Sequence, residues 1–227
     1  ENYIKSYIEK IDNNKTKIYN KNKVKKIGLD DCNSIDNSEA IESISKAYLK
    51  AVKNLNEKID ETVIILGLDY VKMPSSRLEL NMENKRITKY DIKRILHYMV
   101  KYHEYYDDHV AIQVKAEGFI LDSGERIVDP LFCKTSKLTC NVRTYFVDKN
   151  VFLNFQEIFR KCGIINPTFK AFFSYQEYKY ELDIDGNLVE LEILSDFEKK
   201  SAFGKWLHER RFFLREFFKI FCKKLNS

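Results

Sequence analysis

Three histidines, His97, His103 and His109, lie close to several carboxylates in the middle of the sequence. Imidazole and carboxylate groups are common metal ligands and acid–base catalysts, so this set could hold a metal ion or transfer a proton. The spacing argues against that chemistry, because a step of six residues leaves successive histidines about 120° off a common helix face. We expect an ordinary polar helix end here, with a metal or catalytic cluster as the alternative.

The sequence also lacks the familiar motifs for covalent or phosphate chemistry. The 227 residues contain no Ser–His–Asp order and no GxSxG, HExxH or P-loop pattern, so no catalytic residue and no enzymatic activity are predicted. The five cysteines are odd in number and lack CxxC spacing, which argues against a disulfide framework or a zinc site. The sequence has no apolar run of the length that a transmembrane helix needs.

The carboxyl-terminal part of the sequence carries most of the charge. From 199 to 224 there are nine basic residues and two acidic ones, Glu209 and Glu216, which gives +7 against a total of +5. The rest of the chain is therefore close to neutral, at −2. A basic excess in one short segment indicates an anionic partner, either a membrane surface or a nucleic acid.

Within this segment, Phe203 to Leu225 predicts an amphipathic helix. At 100° per residue its apolar side chains fall mainly on one side and its basic side chains mainly on the other. Because the apolar side is unusually aromatic, we expect a helix lying on an anionic membrane; a nucleic acid would explain only the charges. The residues predicted to contact the membrane are Phe203, Trp206, Leu207, Arg211, Phe213, Leu214, Arg215, Phe217, Phe218, Lys219 and Phe221. A helix packed on the domain core is the alternative.

The amino-terminal part predicts the beginning of an α/β fold. Tyr3 to Ile11 alternates loosely like a strand, 12–22 is expected to be a polar loop, and Val24 to Leu29 is a weak strand. Asn37 to Asn56 has apolar residues at helical spacing. Thr62 to Asp69 is a short apolar run, typical of a strand that is covered on both faces of a parallel or mixed sheet.

The middle of the sequence predicts a small helix-and-sheet subdomain. Thr88 opens a helix, with Asp91 in a capping-box-like position three residues later. Strands are expected at 110–122 and 137–147, and the link between them is rich in turn signals. A further helix at 150–162 is followed by a strand at 164–173.

This order of elements resembles the inserted subdomain of FtsA, the actin-like protein of bacterial cell division, and the helix after it. The motifs that carry the resemblance are Ile87-Thr88-Lys89-Tyr90-Asp91-Ile92, Phe119-Ile120-Leu121-Asp122, Arg126-Ile127-Val128-Asp129-Pro130, the strand at 137–147 and Arg160-Lys161-Cys162-Gly163-Ile164. Upstream, Ala40 to Leu66 resembles the helix and following strand of the first actin-like subdomain.

The resemblance implies an α/β (α+β) fold with a partial actin-like, ribonuclease H-like first domain. Into it a small helix-plus-antiparallel-sheet subdomain would be inserted, and a C-terminal amphipathic helix would follow. The implied segments are 1–70 in the first subdomain, 71–149 as the insertion, 150–194 as the return with a hairpin, and 195–227 as the membrane-targeting tail. In the family the insertion contacts neighbouring copies and later division proteins, so we expect self-association, with Lys89 and Lys93 as contact residues.

FtsA binds ATP, and the resemblance implies a Gly-rich turn that holds phosphate. The best match is the segment 183–190, which keeps Asp183 and Gly186 as candidate cofactor-binding residues but lacks two glycines and both threonines. Asp185 would also put a carboxylate where backbone amides should face phosphate. We therefore expect a β-hairpin with an Asp-Gly turn, no cofactor in this chain and no ATP hydrolysis.

The expected role is that of an FtsA-like adaptor that links division-ring components to the cytoplasmic side of the inner membrane. Its expected partners are anionic lipids, further copies of the chain and other division proteins, and no nucleic acid. Contact with FtsZ is doubtful, because the second actin-like half that carries it in the family is not recognisable here. The alternatives are an actin-like ATPase whose nucleotide loops lie outside this chain, and a nucleic-acid-binding module that uses the basic tail.

Overall fold

A computed structural model describes residues 3–12, 15–29, 35–55, 59–101, 103, 107–171, 179–191 and 217–225. In chain order the elements are β1 (Tyr3–Asp12), β2 (Lys15–Lys25), α1 (Asn37–Val52), β3 (Glu61–Leu66), a 3-10 turn (Leu68–Tyr70), β4 (Ser75–Arg86), α2 (Lys89–Lys101), β5 (His109–Leu121), β6 (Arg126–Ile127), β7 (Lys134–Asp148), α3 (Lys149–Lys161), β8 (Thr168–Ala171), β9 (Tyr180–Leu182), β10 (Leu188–Glu190) and β11 (Phe217–Leu225). The described elements form two compact units: β1, β2, α1, β3, α3, β8 and β11 make the first, and β4, α2, β5, β6, β7, β9 and β10 make the second. Among the described residues, no helix combines the length and the apolar character needed to cross a membrane.

The first unit is a mixed sheet in the order β2-β1-β11-β3-β8. β3 runs parallel to β8, so the apolar run predicted at 62–69 is confirmed as a strand of a mixed sheet, followed by a 3-10 turn. Helix α1 lies on one face, where the Ser6 hydroxyl donates to the Ala47 carbonyl at 2.7 Å. Helix α3 lies on the same face, because the Phe152 ring packs on that of Phe169 at 5.0 Å and Cys162 Sγ approaches the Ile41 carbonyl at 3.6 Å.

The loop predicted at 12–22 is wrong, because most of this segment belongs to strand β2. A strand this rich in Asn and Lys is stable here because it lies at the edge of the sheet, where one side of the backbone stays solvated. Two of its asparagines also bind the end of α1: Asn20 Nδ2 donates to the Ala51 carbonyl at 2.8 Å and Asn22 Nδ2 to the Lys50 carbonyl at 3.0 Å. These side chains satisfy carbonyls that have no partner within the helix.

The helix predicted over residues 203–225 is wrong in its last part, since Phe217–Leu225 is strand β11. β11 lies between two partners, parallel to β1 and antiparallel to β3, so its backbone is hydrogen-bonded on both sides. Apolar residues stand at every second position, Phe218, Ile220 and Cys222, and this period of two suits a strand as well as the longer pattern suits a helix. The preceding part, 203–216, lies outside the described residues.

The second unit is an antiparallel sheet in the order β10-β9-β5-β7-β4, with β6 paired to β5. Helix α2 covers one face and buries Ile92, Ile95 and Leu96 against strand residues such as Val114 and Leu138. This sheet is separate from the sheet that contains β3. The prediction that 87–147 forms a helix on a small antiparallel sheet is therefore confirmed.

The helix ends of the middle region follow the predicted signals. At the start of α2, Thr88 Oγ1 donates to Asp91 Oδ2 at 2.6 Å and the Asp91 amide donates to Thr88 Oγ1 at 3.3 Å, which confirms the capping pair. Helix α3 begins after Asp148, whose Oδ1 accepts from the Asn150 amide at 2.8 Å. Gly163 follows its end with φ of 77°, the left-handed conformation that commonly ends a helix.

Candidate functional site

The start of α2 presents polar and aromatic side chains to solvent. Tyr90 is 71% exposed, and the Arg94 guanidinium carbon lies 6.0 Å from the centre of its ring. Lys89, predicted to be a contact residue, is exposed and forms an ion pair of 2.7 Å with Glu190. Lys93, the other predicted contact residue, is half-buried one helical turn further on. The capping pair fixes where this turn begins and so sets the direction of these side chains.

Phe132 lies beside this turn in an unfavourable conformation. Its φ is 66° and its side chain is 69% exposed. Two backbone hydrogen bonds fix its place, from the Phe132 amide to the Ile87 carbonyl at 2.9 Å and from the Ile87 amide to the Cys133 carbonyl at 3.0 Å. A bulky residue at positive φ costs roughly 1–2 kcal/mol, and exposure returns no packing energy. Such strain is typical of residues kept for recognition.

We call Lys89, Tyr90, Lys93, Arg94 and Phe132 the α2 entry surface. Aromatic and arginine side chains often contribute most of the binding energy at protein–protein contacts, because aromatic rings bury much area with few rotatable bonds and the guanidinium group offers several hydrogen-bond donors. Sequence reasoning found the two lysines and missed Phe132. The available signal was the turn signal at Asp129-Pro130, since in a type II turn that starts at Pro130 the third residue, Phe132, has positive φ.

A polar network joins this surface to the β9–β10 hairpin. Tyr180 Oη donates to Asp129 Oδ1 at 2.7 Å, and Lys179 pairs with Asp129 and, at 3.1 Å, with Glu190. Burial tends to raise the pKa of Asp129, but hydrogen bonds from Lys179, Tyr180 and the Leu131 amide outweigh it and leave that pKa lowered. Hydrogen bonds from Lys89 and then Lys179 lower the pKa of Glu190. The network therefore stays ionised at neutral pH and holds the hairpin to α2.

The turn compared with a phosphate loop is the tip of this hairpin, as predicted. Asp183 Oδ1 accepts from the Asn187 amide at 2.7 Å, and the Gly186 amide donates to the Asp183 carbonyl at 3.0 Å. The Gly186 carbonyl lies 3.1 Å from His97 Nε2. The two candidate cofactor-binding residues thus meet in one turn, where their polar groups are used to close the hairpin. The hairpin pairs with β5 in the second sheet.

The three histidines occupy different surroundings. His97 faces the hairpin tip, whereas the rings of His103 and His109 lie 4.9 Å and 6.4 Å from the ring of Phe146. Within the described ranges, no group of three or more His, Cys, Asp or Glu side chains could hold a metal ion. Their placement against a core aromatic and a hairpin backbone agrees with a packing role.

The residues predicted to contact a membrane fall into two groups. Phe217, Phe218, Lys219 and Phe221 belong to β11. The others lie at positions 203 to 215, outside the described residues: Phe203, Trp206, Leu207, Arg211, Phe213, Leu214 and Arg215.

The larger part of the second unit, from β4 to β7 with α2, is inserted between β3 and α3 of the first, and the β9–β10 hairpin that follows β8 completes it; together they define a small α+β domain. Residues 69–146 match the family described as the SHS2 domain inserted in FtsA. The match confirms the resemblance seen in the sequence and indicates a cell-division-related, actin-like protein. No match was found among curated proteins. The ribonuclease H-like assignment of the first unit stays a prediction.

Proposed function

We propose that this chain is an FtsA-like adaptor of the division machinery, and that its SHS2 domain binds further copies or other division proteins through the α2 entry surface. The observation that carries the proposal is the exposed, strained Phe132, bound through its backbone to Ile87 just before the exposed start of α2, on a domain of the FtsA type. Strain without packing is retained when a partner supplies the missing contacts.

The adaptor role includes a place on the cytoplasmic side of the inner membrane. Its support is the basic excess of the carboxyl-terminal segment, which attracts anionic lipids. The predicted long helix no longer supplies this contact, because its last nine residues form β11. Trp206, Leu207, Phe213 and Leu214 remain the proposed apolar part of the membrane contact, and the neighbouring basic residues remain its charged part.

We also propose that the adaptor works without hydrolysing ATP. Asp183 and Gly186 use their polar groups within a hairpin turn, which supports this proposal. Isothermal titration of the chain with ATP and magnesium is expected to give no binding heat. Micromolar binding would contradict the proposal and favour the actin-like ATPase.

The test of the protein contact is sedimentation velocity over a concentration series of the full chain. Phe132→Gly, Tyr90→Ala and Lys93→Glu are each expected to raise the dissociation constant of self-association about tenfold or more. Phe132→Gly should change the free energy of unfolding by no more than about 1 kcal/mol, because relief of the positive φ offsets the flexibility of glycine.

The matched control is Leu153→Ala on α3, which removes another apolar side chain that is 54% exposed. It should leave association unchanged. If the wild type is monomeric throughout, or if Leu153→Ala weakens association as much as Phe132→Gly does, the α2 entry surface is not the contact.

A further inference from the structure

Strand β4 forms one edge of the second sheet. It pairs with β7 on one side, and on its other side it has no neighbour among the described strands. Its register with β7 is regular from Ser75 to Asn81 and shifts only between Asn81 and Lys85. Seven consecutive residues, 75 to 81, therefore present one regular backbone edge.

The hydrogen bonds just before β4 show which of its residues point outwards. Lys72 and Phe146 exchange two backbone hydrogen bonds of 2.8 and 2.9 Å, and the Thr144 amide donates to the Pro74 carbonyl at 3.1 Å. The same register continues into β4. Backbone groups alternate between the two sides of an antiparallel strand, so residues 76, 78 and 80 bond to β7. The amides and carbonyls of the odd-numbered residues lie along the outer edge: Ser75, Arg77, Glu79 and Asn81.

This outer edge is accessible, since all four odd-numbered residues are exposed. Natural proteins usually protect such an edge with charged side chains, proline or a bulge. In β4 the irregularity comes only after Asn81. The regular part carries one positive and one negative charge, Arg77 and Glu79, which a partner strand of suitable sequence can match.

The sequence of this edge is complementary to itself. When two copies of β4 lie antiparallel with Leu78 opposite Leu78, Arg77 of each copy faces Glu79 of the other, and Ser75 faces Asn81. All of these positions have outward backbone groups, so each pair can exchange two hydrogen bonds. Opposite charges at directly paired positions also stabilise a sheet.

Charge selects this register over its neighbours. Moving one strand by two residues keeps the hydrogen bonds possible, but it puts Arg77 opposite Arg77 or Glu79 opposite Glu79, depending on the direction. Like charges at directly opposite positions destabilise the pair. Moving one strand by a single residue places residues that bond to β7 opposite outward ones, so the new hydrogen bonds are lost. Among these registers, the one centred on Leu78 alone satisfies both backbone and charge.

We propose that a second copy of this chain binds at the outer edge of β4, so that the two sheets join into one antiparallel sheet across a twofold axis at Leu78. Arg77 forms no ion pair within the described part of the chain. Glu79 pairs with Lys137 at 2.6 Å, and its carboxylate has further acceptor sites for Arg77 of the other copy.

Leu78 adds an apolar contact at the axis. It is half-buried and packs against the core that α2 covers. In the joined sheet it meets Leu78 of the other copy in a non-hydrogen-bonded pair, where side chains approach most closely. A second copy is favoured over a peptide of another protein, because such a peptide would not require β4 to be complementary to itself.

The test is amide hydrogen exchange of the full chain over a concentration series, with sedimentation velocity on the same samples. The amides of Arg77 and Glu79 point away from β7, so they should exchange rapidly in dilute protein and become protected as the protein associates. The Leu78 amide bonds to β7 and should be protected throughout. The concentration-dependent protection should persist in Phe132→Gly, because β4 is a different surface from the α2 entry surface.

Charge variants test the register. Arg77→Glu and Glu79→Arg each put like charges opposite one another and should each weaken the edge contact about tenfold. The two substitutions combined restore opposite charges and should recover most of the affinity. Arg86→Glu is the matched control, since it makes the same charge change on an exposed residue of β4 beyond the irregularity. Thermal unfolding followed by circular dichroism should show that all of these variants are folded.

The possible failures are distinct. If the chain associates while the Arg77 and Glu79 amides exchange equally at all concentrations, the edge contact is wrong and the α2 entry surface stands. If the combined variant binds no better than the single ones, or Arg86→Glu weakens the contact as much, the proposed pairing is wrong. A chain that stays monomeric up to millimolar concentration overturns the edge contact together with self-association through α2.

Discussion

Each of the two sheets is completed by a segment from far along the chain, but in opposite ways. In the second unit the β9–β10 hairpin joins the edge of β5 through two register pairs, and side chains such as Tyr180 and Lys179 hold it there. In the first unit β11 enters the middle of the sheet and is held by its backbone on both sides. An edge addition extends a sheet that already exists, whereas this central strand joins β1 and β3, which do not pair with each other among the described strands.

The largest effect is expected where the central strand is broken. Ile220→Pro removes a backbone donor from β11, which pairs with Ser6 on one side and Ile64 on the other. We expect a loss of at least about 3 kcal/mol in the free energy of unfolding of the first unit. Hydrogen exchange should show lost protection in β1 and β3, with β5 and β7 as the internal control. Unchanged protection in β1 would mean that β11 is not the central strand.

At the hairpin, a smaller effect is expected from Tyr180→Phe. The Tyr180 side chain is fully buried, and the substitution removes its hydrogen bond to the ionised carboxylate of Asp129. The expected loss is about 2 kcal/mol, measured by urea unfolding. Tyr90→Phe on the exposed start of α2 is the matched control and should cost little. Equal effects of the two variants would show that the network does not hold the hairpin.

Two glycines offer a further test, Gly186 at the hairpin tip and Gly124 in the turn between β5 and β6. Gly186 has φ of 74°, and a Cβ there would lie 2.8 Å from His97 Cε1. Gly124 has φ of 84° with open space around it. Both alanine variants should lose about 1 kcal/mol for the positive φ. Any additional loss at Gly186 measures the His97 contact, and His97→Ala in the same chain should remove it.

The smallest expected effect is a fall in the free energy of unfolding at acidic pH. The pKa values of Asp129 and Glu190 are lowered in the folded state. Their contribution to stability is therefore fully present at a pH above their pKa values in the unfolded chain, about 4. It is lost as pH falls through the lower folded values. Lys179→Met should flatten the acid dependence of the unfolding midpoint. Some dependence should remain from Asp122, whose pKa hydrogen bonds from Ser136 lower to about 2. An unchanged profile would contradict the role given to Lys179.

The difference between local and distant contacts also explains what the sequence could predict. The Thr88–Asp91 pair, the apolar spacing of α2 and the Asp-Gly turn are local signals, and the structure agrees with each of them. The strands of β2 and β11 depend on distant partners: Asn20 on the end of α1, and Phe217 on Tyr3. A segment such as 217–225 satisfies both a helical and a strand pattern, and only its neighbours in the sheet decide between them.

The candidate site divides in the same way. Lys89 and Lys93 were predicted because a resemblance places them on a helix, and the structure puts both on its first turns. Phe132 was missed because its exposure follows from a backbone pair with Ile87, which no local pattern displays.

The position of β11 also has a consequence for synthesis. A ribosome makes the chain from its amino terminus, so β1, β3 and β8 all emerge before the strand that joins β1 to β3. Until β11 follows, two strand edges are open to pairing with other nascent chains, which is a known route to aggregation. The second sheet has its main strands complete by Asp148. During translation, chaperones should therefore be needed for the first unit well after the SHS2 domain can fold.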